Sequence, residues 1–191
     1  MENQMEDQNK KPELKKLLLP FSLTALVILL DQITKAIIVR NWPIPEGARG
    51  RFIKDVFDND LLILFHVRNP AIAFSIGDGL PDHLRFPLFV VIPTLVLILL
   101  VWYYFRTNEF TQLQRWAMAG IVGGGIGNIA DRIFRPDGVV DFISVKFFGI
   151  FGLERWPTFN VADSAVVVCC MILLVTMFIA EKKPDTAKSS S

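Results

Sequence analysis

Charged residues inside apolar stretches are the positions of this sequence that are most able to do chemistry. A charged side chain within a membrane-spanning segment is costly and usually functional, and it normally faces a partner inside the protein. The carboxylates and cations in such positions are Asp31, Lys35, Asp131, Arg132 and Asp163, and Asp141 lies just beyond one stretch. Two carboxylates held close together share a proton and act as an acid and a base. Paired aspartates are therefore the first hypothesis for the chemistry.

Four apolar stretches position these residues. They cover about residues 17–39, 87–105, 116–134 and 161–180, and each has about the 20 residues that a helix needs to span hydrocarbon. Of the 191 residues, 52% are hydrophobic and only 20% are charged, a balance typical of membrane proteins. The sequence predicts an all-α membrane protein with four transmembrane helices, in which residues 1–191 form a single integral membrane domain.

The connections between the helices carry a different pattern. Residues 40–86 contain alternating segments (LLILFHVRN, AIAFSI) broken by glycine and proline, which predicts a small extracytoplasmic β-rich or amphipathic element between helices 1 and 2. The third connection, about residues 135–160, contains VVDFISVKFF, whose alternation is typical of a strand that lies along the membrane. Residues 1–16 and 181–191 are polar, and we expect them to be flexible cytoplasmic tails.

The distribution of basic residues predicts the orientation. Lysines precede the first helix and follow the last, and arginines flank the short second connection: Lys10, Lys11, Lys15, Lys16, Arg106, Arg115, Lys182 and Lys183. The positive-inside rule places these segments, and so both termini, in the cytoplasm. The net charge is only +1, so the overall field indicates no nucleic-acid partner.

Topology brings the carboxylates to one face of the membrane. Asp31 and Asp131 each lie about 20 Å along helices that run in the same direction, at 1.5 Å per residue. Asp163 begins the fourth helix, which runs the other way, and Asp141 follows the third. All four therefore converge near one face, which is extracytoplasmic in the predicted orientation.

Each local pairing has a structural interpretation beside the chemical one. Asp31 and Lys35 are four residues apart on one helix face, so they form either a buried ion pair or part of a reactive site. Asn160 and Asp163 have the spacing of a helix N-cap and a first-turn acidic residue. A cap is compatible with catalysis, because the helix N-terminus favours ionised Asp163 while Asp141 nearby holds a proton. Asp141 alone is also consistent with a solvated loop residue.

Other chemistries have less support in the sequence. The serines lack a base, because the two histidines, His66 and His83, both lie in the long outer connection, and no zinc or serine-hydrolase motif is present. The glycines of residues 123–127 favour close packing of a helix or a substrate backbone. Two alternatives remain open: a divalent cation held by the aspartates, and a non-enzymatic carrier in which they relay protons. A relay needs polar groups through the full thickness, whereas the second apolar stretch has no ionisable side chain except Tyr103 and Tyr104.

Five segments together resemble lipoprotein signal peptidase (signal peptidase II), a family of bacterial membrane aspartic peptidases. They are DQITK at 31–35, NPAIAFS at 69–75, GGGIGN at 123–128 with DR at 131–132, VDF at 140–142, and FNVAD at 159–163. They occur in the family's order and cover nearly the whole chain apart from the tails. The second segment departs from the family pattern, because Ala71 and Ile72 replace Gly-Ala.

The resemblance implies a function and a site. It implies a membrane-embedded aspartic endopeptidase that removes signal peptides from diacylglyceryl-modified prolipoproteins by cutting just before the lipidated cysteine. It places the catalytic pair on Asp141 and Asp163 and the supporting residues on Asp31, Lys35, Asn69, Asn128, Arg132 and Asn160. We expect no metal and no cofactor, a monomer in contact with membrane lipid, and a multi-pass location in the bacterial cytoplasmic (inner) membrane.

Overall fold

A computed structural model of the protein describes residues 13–70, 80–135 and 137–181. Within these residues the helices are α1 (Leu14–Leu18), α2 (Phe21–Asn41), α3 (Asp82–Phe86), α4 (Ile92–Arg106), α5 (Gln112–Phe134) and α6 (Val161–Glu181), and a π-helical turn, Pro87–Val91, joins α3 to α4. The strands are β1 (Gly50–Asp55), β2 (Leu62–Asn69), β3 (Val139–Ile150) and β4 (Leu153–Arg155). The departure at Ala71 and Ile72 lies outside the described residues.

Three helical segments are long and apolar enough to cross a membrane, judged by length and composition over the described residues. They are Leu14–Asn41, His83–Arg106 and Val161–Ile179. Their outer faces carry exposed apolar side chains, such as Leu99 on α4 and Phe178 on α6, as lipid contact requires. The predicted third span corresponds to α5, which has 23 residues but is not one of these three. The count of four membrane spans therefore stays a prediction.

One face of α2 is buried and the remainder is exposed. Its buried residues recur at intervals of three and four, which is the period of one helix face: Thr24, Val27, Asp31, Lys35 and Ile38. Leucine and isoleucine side chains cover the other faces and are exposed. The helix face that is buried at Val27 and Ile38 therefore also buries the charged residues Asp31 and Lys35.

Helix α5 lies at the centre of the bundle and contacts α2, α4 and α6. It begins with a capping box, in which Thr111 and Gln114 satisfy each other's backbone N–H groups. Its buried face consists mostly of alanine, glycine and valine, so neighbouring backbones approach closely. A Cβ atom on Gly123 would lie 3.0 Å from the Thr24 carbonyl oxygen, and one on Gly124 would overlap the Ala162 carbonyl oxygen. The prediction that this glycine run mediates packing is confirmed.

The four strands form an antiparallel sheet in the order β1-β2-β3-β4. Strands β1 and β2 come from the first long connection and confirm the predicted β-rich element. The strand predicted at VVDFISVKFF in the third connection is confirmed by β3, although the sequence did not predict that both connections contribute to one sheet. The third connection supplies β3 and β4, and β3 pairs with β2, because both alternating segments have backbone groups that a neighbouring strand can satisfy.

The close approach of α5 to α6 generates a stability prediction. We expect Gly124→Ala to destabilise the protein by about 1–3 kcal/mol, the usual cost of overpacking, because the added methyl group meets backbone. Gly125→Ala is the matched control, since the added methyl group there meets only the flexible end of Leu97 and the gain in helix propensity is the same. Thermal unfolding in detergent measures both variants. Equal unfolding temperatures for the two would contradict the proposed α5–α6 contact.

Candidate active site

A buried ion network joins α2 to α5. The Lys35 ammonium lies 2.8 Å from an Asp31 oxygen and 3.0 Å from an Asp131 oxygen, and none of these side chains is exposed. Arg135 forms a further ion pair with Asp131, so two anions face two cations. Buried charges persist only when they are paired and hydrogen-bonded in this way. The predicted pairing of Asp31 with Lys35 is confirmed.

The network extends to α6 and the sheet through backbone N–H groups. The second Asp31 oxygen accepts a hydrogen bond from the Ala162 N–H at 3.1 Å, in the first turn of α6. An Asp131 oxygen accepts one from the Val140 N–H, also at 3.1 Å. Gln32 donates to both carboxylates at 3.1 Å. Asp31 and Asp131 thus hold α2, α5, α6 and β3 in one arrangement.

Lys35 also fixes the orientation of an amide beside the second pair of carboxylates. Its ammonium donates to Asn128 Oδ1 at 3.0 Å, and Asn160 Nδ2 donates to the same oxygen at 3.1 Å. Because two donors occupy this oxygen, the Asn128 NH2 group points the other way, to Asp163 Oδ1 at 2.7 Å. Lys35 therefore determines that the NH2 group of Asn128, and not its oxygen, faces Asp163.

Asn160 links the two remaining carboxylates. Its side-chain NH2 group donates to Asp141 Oδ1 at 2.7 Å, and its backbone N–H donates to Asp163 Oδ2 at 3.1 Å. Asn69 donates to the other Asp141 oxygen at 3.1 Å. Asp141 is 3% exposed and Asn160 is fully buried, whereas Asp163 is only half-buried. The two carboxylates therefore share a partner but differ in their access to the surroundings.

Backbone pairing places Asn160 beside Asp141. The residue before it, Phe159, forms a β-bridge with Ile143 of β3, and its carbonyl oxygen accepts from the Phe142 and Ile143 N–H groups. Helix α6 begins immediately afterwards with a reciprocal cap, in which the Asp163 N–H donates to Asn160 Oδ1 at 2.9 Å. The predicted N-cap is confirmed, and the same cap brings Asp163 to the site.

The environment of Asp141 favours its protonated form. Burial, and then the nearby Asp163 carboxylate, raise the pKa of Asp141 to about 7, against the opposing effects of the hydrogen bonds from Asn69 and Asn160 and the charge of Lys35. Such a group carries a proton that an ordinary carboxylate has lost at neutral pH. Asp141 is a residue of β3 enclosed by protein, and the alternative of a solvated loop residue is wrong.

The structure brings all the predicted site residues into one region. Arg132 donates to the Asn128 carbonyl oxygen at 3.3 Å and lies within electrostatic range of the carboxylates of Asp131, Asp141 and Asp163. Sequence reasoning did not assign roles to Gln32 or Arg135, which complete the ion network. Gln32 neighbours Asp31, and Arg135 follows Asp131 by four residues, so the helical spacing rule that found Lys35 also applies to Arg135.

The described residues contain no group of three or more histidine, cysteine, aspartate or glutamate side chains arranged to hold a metal ion. The sequence suggested that four aspartates could hold a divalent cation. Two of them, Asp31 and Asp131, form ion pairs with Lys35. Asp141 and Asp163 accept amide and backbone hydrogen bonds. Both of these carboxylates accept a hydrogen bond from Asn160.

Known proteins share this architecture. A bacterial membrane enzyme determined by the in meso method at 2.3 Å resolution superposes with a TM-score of 0.72 over 90% of this chain and 94% of that one, at 23% sequence identity. A second bacterial membrane enzyme, determined at 1.9 Å, superposes with a TM-score of 0.66 over 83% and 91%, at 25% identity. The chain thus has the fold of a bacterial membrane enzyme, which agrees with its three long apolar helices.

Sequence comparisons give the family. Residues 23–179 match the family model of signal peptidase (SPase) II. A lipoprotein signal peptidase of Treponema pallidum (strain Nichols) is 44% identical over 172 residues, covering 90% of this chain and 89% of that protein. One of Treponema denticola is 46% identical over 172 residues, covering 90% and 95%. The chain belongs to the signal peptidase II family.

The buried ion network predicts the effect of removing one charge. We expect Asp31→Ala to lower the yield of folded protein, because Lys35 loses a counter-ion and the Ala162 N–H loses its acceptor, a change that costs roughly 3–5 kcal/mol in buried pairs. Glu46→Ala, in an exposed loop, is the control. Fluorescence-detected size-exclusion chromatography measures folded yield. A full yield of inactive Asp31→Ala protein would instead indicate a direct chemical role.

The raised pKa of Asp141 predicts a pH dependence of stability. Between its ordinary value of 3.8 and about 7, the folded protein binds a proton that the unfolded chain releases. This carboxyl therefore lowers the free energy of unfolding as pH rises, by at most about 1.4 kcal/mol per pH unit. Asp141→Asn removes this slope, although it also disturbs the bonds from Asn69 and Asn160 at every pH.

Unfolding temperatures between about pH 5 and pH 8 test this linkage. The Asp141→Asn variant should become more stable relative to the native protein as pH rises. Glu46→Gln should follow the native curve. Parallel curves for the native protein and Asp141→Asn would show that Asp141 titrates normally.

Proposed function

We propose that this chain is an aspartic endopeptidase that removes signal peptides from diacylglyceryl-modified prolipoproteins, with Asp141 and Asp163 as its catalytic pair. Membership of the signal peptidase II family supports the reaction. One observation carries the assignment of the pair: both carboxylates bond to Asn160, and only one of them is enclosed. The remaining predicted site residues act in support, and they are Asp31, Lys35, Asn69, Asn128, Arg132 and Asn160.

The two environments assign the roles. Asp163 receives hydrogen bonds from Asn128 and from the Asn160 N–H and lies in the first turn of α6, where the helix dipole favours negative charge. Asp163 is the ionised base. Asp141, with its pKa raised to about 7, carries the shared proton and is the acid. The titration belongs to the pair as a whole.

Hydrolysis then follows from these roles. Asp163 removes a proton from a water molecule as the water oxygen attacks the scissile carbonyl carbon. Asp141 donates a hydrogen bond, and then its proton, to the carbonyl oxygen as negative charge develops there. When the tetrahedral intermediate collapses, the C–N bond breaks and the proton on Asp163 passes to the leaving nitrogen. A hydroxyl of the intermediate returns its proton to Asp141 as the carboxyl product forms, which restores both aspartates. The amides of Asn69 and Asn128 keep each carboxylate oriented throughout.

The family suggests how the protein lies in its membrane. Helix α5, the third of four spans along the chain, completes the set in this proposal. It contacts the other three helices, which explains its lower apolar content. Residues 1–16 and 181–191 are cytoplasmic tails of a single membrane domain, and residues 40–86 lie outside the cytoplasm. The site then faces the extracytoplasmic edge of the inner membrane, where a lipid-anchored prolipoprotein arrives. The enzyme acts as a monomer, without nucleic acid, metal or other cofactor.

A cleavage assay in detergent tests both the reaction and the pair. We expect the native protein to cut a diacylglyceryl-modified prolipoprotein just before the lipidated cysteine and to leave the unlipidated form intact. Either Asp141→Asn or Asp163→Asn should reduce the rate by at least about 100-fold, the scale of losing a positioned acid or base. Chelator should leave the rate unchanged.

The control is Asp58→Asn, which removes an exposed carboxylate at a backbone position with positive φ that asparagine tolerates. It should retain full activity. Activity in folded Asp163→Asn protein would refute the catalytic pair but leave the family reaction standing. No cleavage by folded native protein would refute the reaction itself.

A further inference from the structure

The wall of a cavity at the extracytoplasmic end of α2, in the orientation proposed above, includes two residues that each have a buried polar atom without a partner among the described residues. Its volume is about 360 Å³, and its lining includes Val39 at the end of α2, Ile44 and Arg49 in the following loop, His66 and Arg68 of β2, and Asp137. Successive side chains of a strand point to opposite faces. Since Asn69 contacts Asp141, its neighbour Arg68 faces away from the candidate active site.

His66 has an unpaired hydrogen-bond acceptor in the wall of this cavity. The side chain is 1% exposed, and its Nδ1 atom lies 2.7 Å from the Trp42 carbonyl oxygen, which only accepts, so Nδ1 carries the proton. Burial, and then the charge of Arg68, lower the pKa of His66, which keeps the ring neutral. Nε2 is therefore an unprotonated acceptor, and it makes no hydrogen bond with the described residues.

Arg68 has an unpaired donor in the wall of the same cavity. Its Nη1 atom is buried and makes no hydrogen bond with any described group. Asp137 and Asp131 attract the guanidinium and Arg135 repels it. With Arg49 also in the lining, the two cations exceed the one carboxylate, and Asp137 offers a second acceptor beside His66. The cavity thus combines a net positive charge with acceptors for hydroxyl groups.

These groups together define the chemistry of a matching ligand. Guanidinium N–H groups recognise phosphate oxygens, while His66 Nε2 and the Asp137 carboxylate accept from hydroxyl groups. A phosphodiester that also carries hydroxyls satisfies both sets, whereas a simple anion leaves the acceptors unmet and is repelled by Asp137. The position at the end of α2, a helix apolar enough to cross the membrane, is where lipid headgroups lie.

We propose that this cavity binds the headgroup of an anionic phospholipid that carries free hydroxyl groups, with Arg49 and Arg68 on the phosphate and His66 on a hydroxyl. The site is separate from the candidate catalytic pair, and the proposal does not depend on the reaction proposed above. Arg68 immediately precedes Asn69, so a bound lipid would also order the strand end that supplies this amide to Asp141.

Lipid binding to the full-length chain in neutral detergent tests the proposal. The probes are short-chain phosphatidylglycerol, short-chain phosphatidylcholine, and glycerol 3-phosphate as the free phosphate ester. Native mass spectrometry counts the bound lipids, and the unfolding temperature against probe concentration gives the apparent affinity. We expect one phosphatidylglycerol to be retained, with both other probes at least about tenfold weaker.

Variants locate the binding. Arg68→Met should weaken phosphatidylglycerol binding by about tenfold, as the loss of a charge-assisted phosphate contact does. Arg40→Met is the matched control, because it removes an exposed positive charge at the same end of α2 outside the cavity lining, and it should change the affinity by less than about twofold. Arg49→Met, in the exposed loop, should also weaken binding and supplies the test if Arg68→Met fails to fold.

Three results would overturn the proposal. Equal stabilisation by phosphatidylcholine would show that the lipid tails suffice. Equal binding of glycerol 3-phosphate would replace the membrane lipid by a free phosphate ester. Equal effects of the cavity variants and Arg40→Met would show non-specific attraction, and all three results are independent of cleavage activity.

Discussion

The Lys35 ammonium is the group on which the interior of the bundle depends. Burying a charge costs several kcal/mol unless partners replace its water, and Lys35 has three: Asp31 at 2.8 Å, Asp131 at 3.0 Å and Asn128 Oδ1 at 3.0 Å. The two carboxylates neutralise it and extend to α6 and β3. The Asn128 side chain, held by Lys35, donates a hydrogen bond to Asp163. One lysine thus connects the packing of three helices to the orientation of the candidate catalytic pair.

The difference between the paired aspartates follows from the elements that supply them. Asp141 comes from β3. Its side chain lies between Asn69 of β2 and Asn160 before α6, and burial raises the pKa of Asp141. Asp163 comes from the first turn of a helix and is half-buried, with a helix dipole behind it. Because Asp141 and Asp163 lie in different environments, one aspartate can act as the acid and the other as the base. Asn160 holds both, so their separation depends on the cap of α6.

The parts of the site that lie within one helix could be predicted from helical spacing, whereas those that join distant segments were predicted only through the family resemblance. The pairing of Asp31 with Lys35 and the cap formed by Asn160 depend only on helical spacing. The contact of Asn69 with Asp141 depends on pairing between β2 and β3, across 72 residues, and alternation within a segment does not specify its partner strand. A four-span topology brings the aspartates to one face, but it does not reveal the sheet that closes this face.

The arrangement of α5 also separates the peptidase hypothesis from a proton relay. Its buried residues between Ala117 and Gly127 are small or apolar, over roughly 15 Å at 1.5 Å per residue. In this stretch the Thr24 hydroxyl of α2 donates a hydrogen bond to the Ala119 carbonyl oxygen. Apart from the Cys169 thiol, which lies against Gly120, the ionisable side chains of the described bundle core begin again at the end that meets the sheet. A relay would have to cross this apolar stretch, whereas hydrolysis needs polar groups only where β3 and α6 meet. The packing of α5 therefore favours chemistry at the end of the bundle that meets the sheet.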